Sequence, residues 1–346
     1  MARGGKQRRR GASPDKVAAR LETKARRLGD DDSARPVWRA AADAWRQADR
    51  PVRAVKALSE ALRGGAQDAT ASALLAGLLQ DVGQLIPART AADDAVRWAR
   101  QPGPMALALD VSIGVRLLLG ELDEARERVA RLEVLDLPGA NLAVSFRQAR
   151  LDRLDGALAR TSSCLALLEE RLATAGPRAA APRASAAQEQ AEVALMQGKP
   201  AQAWQHLERA CAAWDLAGRR PGRFGAEGLA VRIRLAEEGM VMPAVLDNPI
   251  EFADERSMVL LGAELRVARG RARSQLGLPG ASSDFDAAVD AGQRAEARFL
   301  EGRARLWRRT AGHALVADLA RTRLLLGPDR VWSRHQVLRG PTAKLN

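Results

Sequence analysis

Apolar residues recur along most of the chain at helical spacing, with polar residues between them. From Pro36 to Leu62, Trp38, Ala41, Ala42 and Trp45 occupy one face of a helix at steps of three and four. A break follows at Ala48, Asp49, Arg50 and Pro51, the proline standing where the first turn of a new helix favours it. Ala54, Leu58 and Ala61 then mark a second apolar face. The pattern predicts two helices joined by a tight turn, a helical hairpin.

The hairpin pattern repeats. A shift of 34 residues carries Ala42 onto Ala76, Trp45 onto Leu79, Ala54 onto Ala88, Leu58 onto Ala92 and Ala61 onto Ala95. Looser units follow. One has Gly114, the turn Gly120 to Asp123, and then Ala125, Val129 and Leu132; another turns at Leu154, Asp155 and Gly156. A clean unit carries Ala191 and Ala194, the turn Gly198, Lys199 and Pro200, and then Ala203, Leu207 and Ala210. Residues 256–291 and 294–326 read as two degenerate units. Small residues at recurring positions let helices approach closely while large ones fill the gaps, the chemistry of a stacked array.

Trp38, Ala41, Ala42, Trp45, Ala54, Leu58 and Ala61 resemble the large and small positions of the tetratricopeptide repeat, and Gly120 to Ala125 has a turn of the form common in that family. The resemblance covers most of residues 35–326. It implies an all-α fold, a right-handed superhelix of stacked antiparallel hairpins, with the first helix of each hairpin lining a concave groove. By the motif's register the groove would present Arg39, Asp43, Arg46 and Gln47 from the first repeat, Gln80 and Asp81 from the second, Asp110 from the third, and Gln188 and Glu192 from the clean later unit. The Lys/Asn carboxylate clamp of the family's chaperone-binding members is not supported, because Arg39 and Asp43 stand in its place. A mixed-charge groove suits an extended peptide or a partner helix.

Three segments interrupt the pattern. Residues 174–184, with two prolines, read as a linker between a front array at 33–173 and a back array at 185–326. Residues 218–228 read as a Gly-rich basic loop before a helix starting near Ala226. Residues 239–252, with Pro243 and Pro249, read as an irregular insertion. Residues 1–32 form a basic arm, expected to be partly disordered, and 327–346 a tail that Trp332 and Val337 would dock.

The chain has 346 residues and a formal charge of +13. Residues 1–27 hold ten basic and two acidic side chains, so the remainder is nearly balanced. Arg3, Lys6, Arg8, Arg9 and Arg10 could bind nucleic acid through phosphates. The Arg- and Ala-rich composition discounts that signal, since a GC-rich genome encodes it regardless of function. With no Tyr and with Trp expected in the core, stacking platforms for single strands are lacking.

Two cysteines, Cys164 and Cys211, exclude a disulfide framework and fit a reducing, cytoplasmic setting. His206, His313 and His335 are too few and too scattered for a metal site, and Cys211 lies five residues from His206, off the helical ligand spacing. Arg219, Arg220 and Arg223 precede a helix start, but no strand leads in and no phosphate-loop ending follows. Met105 to Leu119 is apolar but interrupted by Asp110 and Arg116, so no membrane span is expected. The sequence therefore predicts a non-catalytic protein-interaction scaffold without cofactor or metal; the alternative is a nucleic-acid-associated helical-repeat protein using its basic arm.

Overall fold

The computed structural model of the chain describes residues 13–29, 32–310 and Leu325. Among these the regular structure is entirely helical, and it falls into two compact units that divide between Gln67 and Asp68. The first unit contains α1 (Pro14–Leu28), α2 (Ala34–Gln47) and α3 (Pro51–Ala61). The second runs through α4 (Ala69–Asp81), α5 (Leu85–Trp98), α6 (Pro102–Leu119), α7 (Leu122–Glu133), α8 (Pro138–Leu154), α9 (Leu158–Ala173), α10 (Ala180–Met196) and α11 (Pro200–Ala217). It continues with α12 (Arg220–Glu237), α13 (Asp247–Glu255), α14 (Val259–Gln275), α15 (Ala281–Ala295) and α16 (Arg298–Thr310). Successive helices pack against each other within each unit, as in an all-α solenoid.

In the first unit the apolar face predicted for α2 is the buried one, comprising Trp38, Ala41, Ala42 and Trp45; α3 buries Ala54, Leu58 and Ala61 against it. Residues 14–28, within the stretch 1–32 read from its charge as a partly disordered basic arm, form a helix packed on α2. Ala18 and Ala25 of that helix are fully buried. Its apolar stripe consists of alanines, too small to outweigh the basic residues in a reading by composition.

One turn recurs. Asp49, Gly83, Gly120, Gly156, Gly198 and Gly277 each adopt a positive φ just after the first helix of a hairpin. The next N–H then reaches back five residues: Arg50 to the Trp45 carbonyl (2.9 Å), Gln84 to Leu79 (2.8 Å), Glu121 to Arg116 (2.9 Å) and Lys199 to Ala194 (2.9 Å). This closure satisfies carbonyls that a helix end leaves open, and it needs the left-handed conformation that glycine adopts at least cost.

The three interruptions read from sequence are largely helical. Residues 174–184 hold a 3-10 turn, Pro177–Ala179, and the start of α10. Residues 218–228 are mostly the first turns of α12: Pro221 lies in its first turn, where no N–H partner is lost, so helix starts at Arg220 and not near Ala226. Gly222 lets α12 approach α11 closely, for a Cβ there would lie 2.6 Å from the Trp214 ring. Within 239–252, a 3-10 turn, Pro243–Leu246, leads into α13, and Pro249 again falls in a first turn.

α6 is long and apolar enough to cross a membrane by length and composition, and half of it is buried among its neighbours. Its two charges are ion-paired: Asp110 accepts from Arg147, and Arg116 reaches Asp93 at 2.9 Å.

The second unit also comes back on itself. α14 contacts α4, and α16 contacts α6. At the closure a Cβ on Gly83 would lie 2.8 Å from Cβ of Val259, and one on Gly120 would lie 3.1 Å from Cδ of Arg298. The first helices of the hairpins thus surround a small interior instead of lining an open trough.

Close approach makes a sharp prediction at α15 and α16. A Cβ on Gly292 would lie 2.9 Å from the Glu301 backbone nitrogen and 3.0 Å from its Cα, so backbone must move. Gly292→Ala is expected to destabilise the second unit by about 1–3 kcal/mol in urea unfolding. An unchanged midpoint would show that the helices are not so tightly apposed.

Candidate binding cavity

The inner helices are joined by a ladder of charge. Arg147 of α8 donates to both oxygens of Asp110 on α6, at 2.7 and 3.2 Å. Arg153 of α8 bonds Glu189 of α10. Arg232 of α12 grips Glu192 of α10 with both arms of its fork, Nη2 lying 2.8 Å from Oε2. Arg303 of α16 bonds Glu264 of α14. The partners stand 37, 36, 40 and 39 residues apart in sequence, the spacing of one hairpin to the next. Each such pair joins one inner helix to its neighbour, and Arg147–Asp110 and Arg232–Glu192 do so through the planar, two-point hydrogen bonding that arginine provides and lysine does not.

Three of these pairs, all but Arg147–Asp110, line a cavity of about 380 Å³. Arg150, Arg153, Arg232 and Arg303 face it together with Glu189, Glu192 and Glu264. Phe146, Trp214, Leu229, Leu261 and Leu265 supply apolar wall. A narrower space of about 110 Å³ shares most of these charged residues and adds Leu117, Leu154, Phe299 and Trp307, where α6 and α8 meet α16. This mixture of apolar wall and few convergent charges is the usual make-up of a ligand site.

The charges are unequally satisfied. Burial alone would push the Glu192 carboxyl up, but Arg232, by charge and hydrogen bonds, together with Arg153 and Arg303, brings its pKa down to about 2. Arg150 is the opposite case. Burial holds its pKa below the ordinary arginine value, Glu189 offsets this in part, and Arg147 and Arg153 add to the depression. Its nearest carboxylate contact is Nε to Glu189 at 3.8 Å, and that Nε is buried with no hydrogen-bond partner among the described residues. Behind the ladder, Arg271 lies 3.6 Å from the centre of the Trp307 ring. Burial, then the charges of Arg232 and Arg303, lower its pKa to about 9.

Of the groove residues expected from sequence, Gln188 and Glu192 line this cavity; Gln188 also accepts from Trp214 Nε1 at 3.0 Å. Asp110 belongs to the ladder but not to the cavity wall. Gln80 is half-buried and Asp81 exposed at the end of α4. Arg39, Asp43, Arg46 and Gln47 lie on α2 of the first unit, where Arg46 pairs with Asp43 at 3.3 Å. Arg3, Lys6, Arg8, Arg9 and Arg10, with His313, His335, Trp332 and Val337, lie outside the described residues.

Sequence reasoning missed Arg150, Arg153, Glu189, Arg232, Glu264 and Arg303. It also placed every tryptophan in the core, whereas Trp214 is half-buried against the cavity. The available signal was an Arg and a Glu recurring one hairpin apart on first helices.

A larger space of about 640 Å³ lies between α9, α10 and α11, floored largely by alanines such as Ala166, Ala187 and Ala212, with Glu169, Gln190, His206 and Arg209 alongside. His206 sits against Arg209 at 2.5 Å, and burial followed by that charge lowers its pKa. Cys164 and Cys211 are free, half-buried thiols whose pKa burial raises. Among the described residues no group of His, Cys, Asp and Glu could hold a metal ion.

No protein-family model matches the chain. A search of the curated proteins likewise returns no match. The functional reading therefore stands on the residues themselves.

Proposed function

We propose that the protein is a non-catalytic interaction scaffold of the tetratricopeptide class, taking an acidic segment of a partner protein at the inner cavity of its second unit. The observation that carries this reading is the cavity wall: first helices of successive hairpins bring four arginines, three glutamates and Phe146 to one space of about 380 Å³, and α11 adds Trp214. Such a wall can take a carboxylate on a guanidinium fork and an apolar side chain on Phe146 or Trp214. The recurrent turn and the small-residue faces of α2, α3, α10 and α11 support the repeat class.

A second reading has one observation in its favour. Lys16, Arg20, Lys24 and Arg27 are exposed along α1 and continue the basic run of the N-terminus, a surface able to contact nucleic-acid phosphates.

A random peptide library panned on the full chain distinguishes the two. Acidic peptides should be enriched, their binding should weaken at least tenfold in Arg153→Ala, and deletion of residues 1–12 should leave it intact. Binding of nucleic acid alone, lost steeply with salt and with that deletion, would favour the second reading. The deletion stops at residue 12 because α1 covers part of the first unit's core.

A further inference from the structure

We infer that the inner cavity is also a site for a small organic phosphate monoester, anchored by Arg150 and competing with the partner peptide. This rests on the inner cavity being the binding element.

The cavity wall holds four arginines against three carboxylates. Glu189, Glu192 and Glu264 are the carboxylates of the cavity, hydrogen-bonded by Arg153, Arg232 and Arg303 respectively. Arg150, the fourth arginine, shares Glu189 with Arg153 and reaches it only at 3.8 Å, without a hydrogen bond among the described residues. It keeps 26% of its side-chain surface, and it lines both the wide and the narrow spaces. A guanidinium withdrawn from bulk water without a hydrogen-bonded counter-charge is costly, and an anion delivered to it recovers that cost. Arg153, Arg232 and Arg303 line the same space, held in place by the ladder, so their positive charge adds to the attraction for an oxyanion at no added ordering cost.

Size and shape select the class. The narrow space, about 110 Å³, corresponds to roughly three to four water molecules, enough for a phosphate group. The wide space, with Phe146 and Trp214 in its wall, has room for an aromatic or apolar body of a few rings but not for a folded partner. A phosphate monoester matches both parts. Inorganic phosphate matches the first alone and should bind more weakly.

The test is calorimetric titration of the full chain with phenyl phosphate and with inorganic phosphate, alongside thermal unfolding at constant ionic strength. Phenyl phosphate should bind more tightly than inorganic phosphate. At a hundredfold excess over its Kd it should raise the second unit's Tm by about 4 °C. Arg150→Gln should lose both effects while unfolding no lower than wild type in chloride, because it removes one of four guanidinium groups from a wall with three carboxylates. Arg150→Lys, which keeps charge but not the fork, should weaken binding about tenfold; it keeps the question decidable if the glutamine variant does not fold. Equal stabilisation by chloride, or full binding by Arg150→Gln, overturns the inference. If acidic peptides bind but phenyl phosphate neither binds nor competes, the phosphate site fails and the scaffold reading stands. If neither binds, both fail.

Discussion

Trp45→Ala is expected to cost the first unit about 3–5 kcal/mol. Trp45 retains 2% of its surface and is the largest fully buried side chain described in that unit. Its ring lies under the Arg53 guanidinium at 4.5 Å, and its indole N–H donates to Glu22 of α1 at 3.3 Å. Alanine would leave a cavity where α1, α2 and α3 depend on one another, and would strip Glu22 of that donor. Because the chain folds as two compact units, the loss should appear as a shift of one unfolding transition and not of the whole curve. Urea unfolding followed by far-UV circular dichroism reads it directly. Trp45→Phe, which fills most of the volume, should lose less than half as much. A single transition that moves as a whole would mean the two units do not unfold independently.

Glu192→Gln should be comparably damaging to the second unit, for an electrostatic reason. Glu192 is the sole carboxylate gripped by Arg232, whose side chain is 9% exposed. Glutamine keeps the shape but removes the charge, leaving a buried guanidinium beside Arg153 and Arg303. Removing one member of a buried pair typically costs about 3–5 kcal/mol. The pH dependence provides an internal check. The folded pKa, about 2, lies below the ordinary 4.5, so this carboxylate stabilises the fold by about 3 kcal/mol above pH 5. That stabilisation fades as pH falls through the interval between those values. The gap between wild type and Glu192→Gln should therefore be widest near neutrality and close towards pH 2. A gap independent of pH would assign the damage to packing and not to charge.

How much of this was legible in the sequence depends on the length scale of each signal. The α2 and α3 faces, the turn at Asp49, and the turns at Gly83, Gly120 and Gly198 are local patterns; they fall where periodicity put them. α12 was read partly as a loop because Gly222, Gly225 and Gly228 look like breakers one at a time. In the structure Gly222 abuts the Trp214 ring and Gly228 approaches Leu265, so these glycines serve close packing. α13 was missed because Pro243 and Pro249 both start helical turns, a role composition cannot distinguish from ending one.

The cavity was the least legible. Its pairs join residues 36 to 40 apart, while the front of the chain repeats at 34. A fixed period carried forward from the first repeats slides past Arg153, Glu189 and Arg232. Only Gln188 and Glu192, placed by the clean later unit, fall in the wall. Exposure was also misjudged: Glu192, expected to face solvent in an open groove, is bound by Arg232 within a unit whose α14 and α16 return to α4 and α6.

Hydrogen exchange of the full chain, with and without an acidic peptide selected from the library, tests the central claim most directly. Binding at the inner cavity should protect α8, α10, α12, α14 and α16, while α9 and α1 exchange unchanged. Protection confined to α1, or to α9 and α11 on either side of the larger space, would contradict it.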